Sequence, residues 1–324
     1  MTLHENKELF SDAIIAASRP IAEGGLGIKD IFIEKDYWIT RSLKLLSQVN
    51  TSQHAVFKGG TSLSKVYGIG ARFSEDIDIA ILDTDTFTGN QLKSLIKRTS
   101  KAMSAGLDEI IIPGITSKGS HYHKAFYRYP RVVTADQVGA IKAGQILIEI
   151  SAFGNPYPYI TRSVQSFLTD FFLQIGQNQL IEEYNMHPVD VLVLDKRRTL
   201  TEKLTSLFRC SLANDAIGQM TNKIRHFYDL HYLLQDDDIR AYINTKAFYS
   251  DFTQLLHEDQ QRFEQPEGWQ ERTIGDSVLI TQLHDTWQNL QHTYMRELPD
   301  LAYREIPSSE QTENSMHTIL QCLM

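Results

Sequence analysis

Cysteine is nearly missing from this chain: Cys210 and Cys322 stand far apart, outside any Cys-x-x-Cys spacing. That excludes a disulfide framework and a cysteine-rich zinc site, and suits a reducing compartment. No apolar run approaches the roughly 18–20 residues that cross a bilayer, so no membrane span is expected. The opening residues, Met1-Thr2-Leu3-His4-Glu5-Asn6-Lys7, show no basic head followed by an apolar stretch, so no secretory leader is expected either. Positive charge is in deficit. The 32 Lys and Arg stand against 40 Asp and Glu, a net charge of −8. Non-specific nucleic-acid binding by the whole surface is thereby disfavoured, although a local basic strip is not. Repeats, low-complexity tracts and Pro/Gly/Ser-rich linkers are absent as well. What remains is ordinary for a globular chain: 324 residues, 42% hydrophobic, 22% charged, mean hydropathy −0.29. Such a chain buries a core without covalent or metal staples, in one large domain or two ordinary ones. The expected location is cytoplasmic.

Helical periodicity opens the chain over 7–18 and 28–49, where Ile39, Leu43 and Leu46 share one face. A short strand over 55–57 runs into Lys58-Gly59-Gly60-Thr61-Ser62, where a helix is expected to start. Alternation predicts strands over 76–82, 110–112, 122–129 and 145–153, with a helix over 89–105. The cluster Gly154-Asn155-Pro156-Tyr157-Pro158 closes the last strand as a turn. Beyond about residue 190 only helical patterns follow, over 199–211, 217–234, 239–258 and 276–295. The expected fold is therefore α+β: a mixed sheet with flanking helices over 1–190, then a helical domain over 191–324. Asp236-Asp237-Asp238 reads as a solvated helix end. His121 and His123 read as an ordinary sheet face, and Trp38, Trp269 and Trp287 as packing residues.

The chemistry concentrates in one stretch, Phe57-Lys58-Gly59-Gly60-Thr61-Ser62-Leu63-Ser64-Lys65, continuing to Arg72-Phe73-Ser74-Glu75-Asp76-Ile77-Asp78-Ile79. A strand entering Gly-Gly-Thr-Ser and then a helix presents backbone N–H groups at a helix amino terminus. Glycine permits close approach there, so phosphate oxygens are accommodated. The same four residues also make a plain strand-to-helix turn with a hydroxyl cap. Asp76 and Asp78, two apart on a strand, project from one face while Ile77 and Ile79 point to the other. Aspartate is a poor strand former, and two on one face repel. A divalent cation such as Mg²⁺ or Mn²⁺ relieves that repulsion and serves phosphoryl transfer. A solvent-facing strand edge is the other reading. Glu149, the lone acid in Ile146-Leu147-Ile148-Glu149-Ile150, is either a surface residue or a third ligand beside that pair.

A Gly-Gly/Ser turn into a helix, then Asp-x-Asp on a strand, then one acid on a later strand resembles the DNA polymerase beta-type nucleotidyltransferase superfamily. The wording of this copy is similar to the AbiEii/AbiGii toxin family, the toxin half of type IV abortive-infection pairs. Lys203-Leu204 through Arg209 resembles that family's second motif, and the resemblance implies that Lys203 contacts nucleotide phosphates. On a helical wheel Lys203 lies at the edge of the arc Leu200, Leu204, Leu207 and Phe208, so it points inward. Arg225-His226-Phe227-Tyr228-Asp229-Leu230 resembles a later motif with Asp229 as the carried-over acid. This sequence has His226 where the family often has an acid. An i,i+4 pair with Arg225 is the plain alternative for Asp229. The resemblance covers roughly residues 30–235.

Taken together, the resemblance implies an enzyme, a metal-dependent nucleotidyltransferase. Asp76, Asp78 and Glu149 are its expected metal and catalytic residues, joined by Lys203 and Asp229. Gly59, Gly60, Thr61, Ser62 and Lys65 are its expected nucleotide cradle. The nucleotide is expected between the two halves. NTP is the expected donor, tRNA or another nucleic acid the acceptor, and a cognate antitoxin a partner. Lys196-Arg197-Arg198, at a helix start where positive charge is unfavourable, is a candidate nucleic-acid contact. The rival readings are transfer to a small molecule or a protein hydroxyl, and a catalytically silent nucleotide-binding module.

Overall fold

The computed structural model describes residues 1–82 and 84–324, which fall into two compact units, 1–67 with 73–194 and 68–72 with 195–324. The first unit opens on α1 (Lys7–Ser18), capped by the Asn6 side chain, and α2 (Asp30–Ser47). Then come β1 (Ala55–Lys58), α3 (Gly59–Tyr67), β2 (Asp76–Ile81) and α4 (Gly89–Met103), the last started by a Thr88/Gln91 capping box. Strands β3 (Asp108–Ile110), β4 (Ser117–Lys118) and β5 (Tyr122–Arg128) follow. A two-stranded ribbon of β6 (Gln137–Val138) and β7 (Ile141–Lys142) leads into β8 (Gln145–Ser151) and β9 (Tyr159–Val164). Helices α5 (Phe167–Gln174) and α6 (Asn178–Glu183) precede β10 (Val189–Leu194).

The sheet order is β3-β5-β8-β2-β1-β10-β9, with β4 beside β5. It is mixed: β2 runs parallel to β8 and β1 parallel to β10, while β1 and β2 are antiparallel. The alternation expected of β2 and β8 is what makes one face apolar. Ile77, Ile146, Ile148 and Ile150 are all fully buried, each contributing about 1.5–3 kcal/mol against exposure. Helix α4 lies on that face, because Ser100 bonds both His123 (2.8 Å) and Tyr127 (2.9 Å) of β5. His123 is thus a buried, partnered core histidine, and burial lowers its pKa. Trp38 of α2 is also core, stacked on Tyr129 at 5.2 Å.

Helix α2 carries three consecutive buried ionisable residues, Glu34, Lys35 and Asp36, and each has a partner. Glu34 accepts from the Val132 N–H at 2.6 Å, Lys35 donates to Glu75 at 2.5 Å, and Asp36 takes both Lys65 and the Phe167 N–H. Buried ionisable groups are costly without such partners, and the Lys35 and Asp36 bonds anchor α2 to α3 and to the residue preceding β2.

The second unit is helical: α7 (Lys196–Ser211), α8 (Ala216–Thr221), α9 (Ile224–Leu234), α10 (Asp237–Ile243), α11 (Lys246–Arg262), α12 (Val278–Thr281), α13 (Leu283–Leu301) and α14 (Ser309–Gln321). Leu200, Leu204, Leu207 and Phe208 are fully buried, as the wheel of α7 requires, and Trp269 and Trp287 join that unit's core. Segment 68–72 belongs here although its neighbours in sequence do not. The Ala71 N–H donates to the Tyr228 hydroxyl, and the Tyr303 N–H donates to the Ala71 carbonyl, both at 2.9 Å. Among the described residues no helix is long and apolar enough to cross a membrane.

Candidate active site

On the face of the sheet opposite α4, β2 presents Asp76 and Asp78, both half-buried. Register aligns one row of charges across four strands: Lys58 of β1 opposite Asp78, Asp78 beside Glu149 of β8, and Glu149 opposite Lys124 of β5. Glu149 therefore shares a face with both aspartates, and its nearest neighbour on β2 is Asp78. Its carboxylate accepts from the Tyr122 hydroxyl at 2.6 Å and pairs with Lys124 at 3.0 Å. Burial, the Glu149 carboxylate and then the Asp78 and Asp76 charges all push the Tyr122 phenol pKa up, so it stays a donor at any working pH. The three acids thus bear on one phenol. Among the described residues, however, no three Asp, Glu, His or Cys side chains converge closely enough to hold a metal. The repulsion read from Asp-x-Asp is also met in part by the protein itself, since lysines stand at both ends of the row.

The turn before the acid strand is built around one close approach. Gly59 has φ +80, and a Cβ on it would fall 2.1 Å from Asp78 Oδ2, so only glycine lets that carboxylate lie against the start of α3. Gly60 follows, half-buried, in the same first turn. The two hydroxyls turn inward. Thr61 Oγ1 donates to the Asp76 carbonyl at 2.5 Å, and Ser62 Oγ donates to the Gly59 carbonyl at 2.9 Å. They brace α3 and β2, so what the turn has for a phosphate is backbone rather than hydroxyl donors. Lys65 is committed elsewhere as well: its ammonium lies 2.5 Å from Asp36 and 2.8 Å from the Gln165 carbonyl, in a pair exposed only 5% and 6%.

In the helical unit Lys203 and Asp229 meet. Lys203 Nζ is 2.7 Å from Asp229 Oδ2, and Arg72 clamps the same carboxylate through Nε (2.8 Å) and Nη2 (2.7 Å). Asp229 is 5% exposed and is not paired with Arg225 in solvent. Burial by itself would raise its pKa, but Arg72 and Lys203 hold the carboxyl well below the usual range. His226, one turn earlier, is held neutral by burial and by Lys203 and Lys223. Arg72 is the one member of this cluster that neither periodicity nor the family resemblance singles out. Its partner lies 157 positions away on α9, so no local pattern marks it.

The basic run at the start of α7 is neutralised in place. Lys196 pairs with Asp236 (2.6 Å) and Asp238 (2.9 Å), Arg197 with Asp195 (3.0 Å) and Arg198 with Glu202 (3.8 Å). Its expected role as a nucleic-acid contact loses its basis, because matched charges project little net field. Asp236 in turn caps α10, so the acid run serves a helix start as well as an ion pair.

A family model described as the nucleotidyl transferase AbiEii toxin of a type IV TA system matches residues 41–313. Among solved structures, MenT4, a nucleotidyltransferase toxin from Mycobacterium tuberculosis H37Rv, is similar with a TM-score of 0.44 and 14% identity. That likeness covers 95% of this chain and 97% of the other. No curated protein matches the sequence.

Proposed function

Because the chain belongs to the AbiEii family of nucleotidyltransferase toxins, we propose that Asp76 and Asp78 hold a divalent cation for transfer of a nucleoside monophosphate from NTP to a nucleic-acid hydroxyl, such as a tRNA end. The observation that carries this reading is the acid row itself: Asp78 register-paired with Glu149, Asp76 on the same strand face, and Glu149 bonded to Tyr122. Two hard carboxylates suit Mg²⁺ or Mn²⁺, since Mg²⁺ commonly takes one or two protein carboxylates and completes its shell with phosphate and water. When bound, the ion neutralises triphosphate charge and lowers the pKa of the attacking hydroxyl.

The chain's own residues do the rest. The acceptor oxygen attacks the α-phosphorus, the bond from that phosphorus to the bridging oxygen breaks, and pyrophosphate leaves. Glu149 accepts the acceptor proton, with Tyr122 and Lys124 fixing its carboxylate. A role for Glu149 as third metal ligand requires it to release Lys124. The backbone of Gly59 and Gly60 approaches phosphate oxygens, with Thr61, Ser62 and Lys65 bracing that turn rather than touching the ligand. For Lys203 the family resemblance suggests phosphate contact, which requires its ammonium to leave Asp229, the carboxylate that Arg72 also clamps. A cognate antitoxin is the partner that the family implies.

Incubating the protein with each α-labelled NTP, Mg²⁺ and total cellular RNA or protein tests the reading. Label in RNA, lost on Asp78→Asn, is expected. Label confined to protein or to a small molecule selects the rival acceptor class. No incorporation from any NTP overturns the enzymatic role proposed for the acid row.

A further inference from the structure

Three aromatic rings gather beside Glu149 of the acid row, whose carboxylate the Tyr122 hydroxyl meets at 2.6 Å. The ring of Phe153 lies 6.2 Å from Tyr122 with an interplanar angle of 29°, and 6.3 Å from His121 with an angle of 24°. Phe153 is 43% exposed and His121 is exposed too. Single exposed apolar residues are common on any surface, but here both neighbouring rings lie within 30° of the Phe153 plane. The backbone holds them so: the Ala152 N–H donates to the His121 carbonyl at 2.8 Å, Tyr122 is the register partner of Ser151, and Gly154 turns the chain at φ +76 immediately after Phe153. One ring reaches the acids directly, through the Tyr122 hydroxyl on Glu149. Lys124, on the same strand and face as Tyr122, adds a half-buried cation against Glu149.

We propose that His121, Tyr122 and Phe153 form a stacking platform for an unpaired base of the acceptor strand. Aromatic rings at the surface suit a nucleic-acid base, because every base offers a π-face. This inference rests on Asp76, Asp78 and Glu149 being the reaction centre, since it is the bond to Glu149 that puts the base at the acid row.

The test is anisotropy of a fluorescein-labelled single-stranded oligoribonucleotide with no NTP present, on the full chain. Phe153→Ala is expected to weaken binding about five- to hundred-fold, the usual worth of one stacked base. Phe153→Trp should keep the wild-type affinity, and its indole emission should be quenched as the strand binds. Equal affinity of Phe153→Ala and wild type, an unquenched indole, or no wild-type binding at all overturns the platform. Failure of the functional reading looks different. If NTP transfer survives Asp78→Asn while Phe153→Ala still loses the oligonucleotide, the platform stands and the reaction centre falls. If transfer depends on Asp78 and Phe153→Ala binds normally, the platform alone falls.

Discussion

Asp229 sets the terms for the buried charges of the helical unit. Two cations share one carboxylate at 2.7–2.8 Å, all of them nearly inaccessible to solvent. Removing the acid strands both cations, so Asp229→Ala is expected to cost about 3–5 kcal/mol, read from denaturant unfolding. Lys203→Met should cost markedly less, because the Arg72 clamp still satisfies the carboxylate, yet it should abolish transfer. Equal destabilisation by the two would contradict this division of labour. Glu34 offers a test in pH. Burial raises its pKa from 4.5 to about 7, against the opposing Val132 N–H. A carboxyl raised on folding favours the native state fully below its unfolded pKa and loses that contribution as pH climbs through the folded one. Stability should therefore fall by up to about 3 kcal/mol between pH 4.5 and 7 from this group. Glu34→Gln should flatten that part of the profile in urea melts taken across the window. A variant with the wild-type slope would locate the titration elsewhere.

At the scale of elements, the β1–α3–β2 unit places the glycine turn and the acid strand in one antiparallel pair, with Lys58 opposite Asp78. Gly59→Ala combines a left-handed backbone with a Cβ 2.1 Å from Asp78 Oδ2. It is expected to cost ~1–3 kcal/mol and to weaken Mn²⁺ binding, followed by titration calorimetry. Lost stability with unchanged Mn²⁺ affinity would show that Asp78 does not hold the ion. The strands with clear alternation, β2, β5 and β8, were legible in the sequence, because each buries one face and leaves the other half open. Strand β9 was not, since Tyr159–Val164 is half-exposed or exposed along most of its length at the sheet edge and has no apolar stripe to read. The continuous helices expected over 217–234 and 239–258 break in two. Thr245 caps a new start at α11, and the Asn222-Lys223 step separates α8 from α9. Such breaks preserve an apolar period on either side, so periodicity alone runs through them.

Across the whole molecule, ligand linkage separates a catalytic acid row from a structural one. With Mg²⁺ and the preferred NTP at ~100 times the dissociation constant, wild type should gain about 2.7 kcal/mol, seen as a rise in melting temperature. Asp78→Asn should lose most of that gain while its ligand-free stability shifts by less than about 1 kcal/mol, because flanking lysines already screen the acid row. A large ligand-free loss with an intact Mg-NTP response would make Asp78 scaffolding. The sequence by itself determined the class of fold, the two aspartates on one strand face, the inward lysine of α7 and the glycine turn before the acids. Each of these depends on neighbours a few residues away, through a period of 2 or 3.6 or one permissive backbone position. Tertiary structure decided which charges meet. Glu149 beside Asp78, Arg72 on Asp229, Lys65 on Asp36 and the cancelling of Lys196 by Asp236 all join residues between 29 and 157 positions apart or set by strand register. No local pattern carries that information. A charge's partner is chosen by how strands and helices pack, and only packing decides whether a lysine is free to meet a phosphate or is already spoken for.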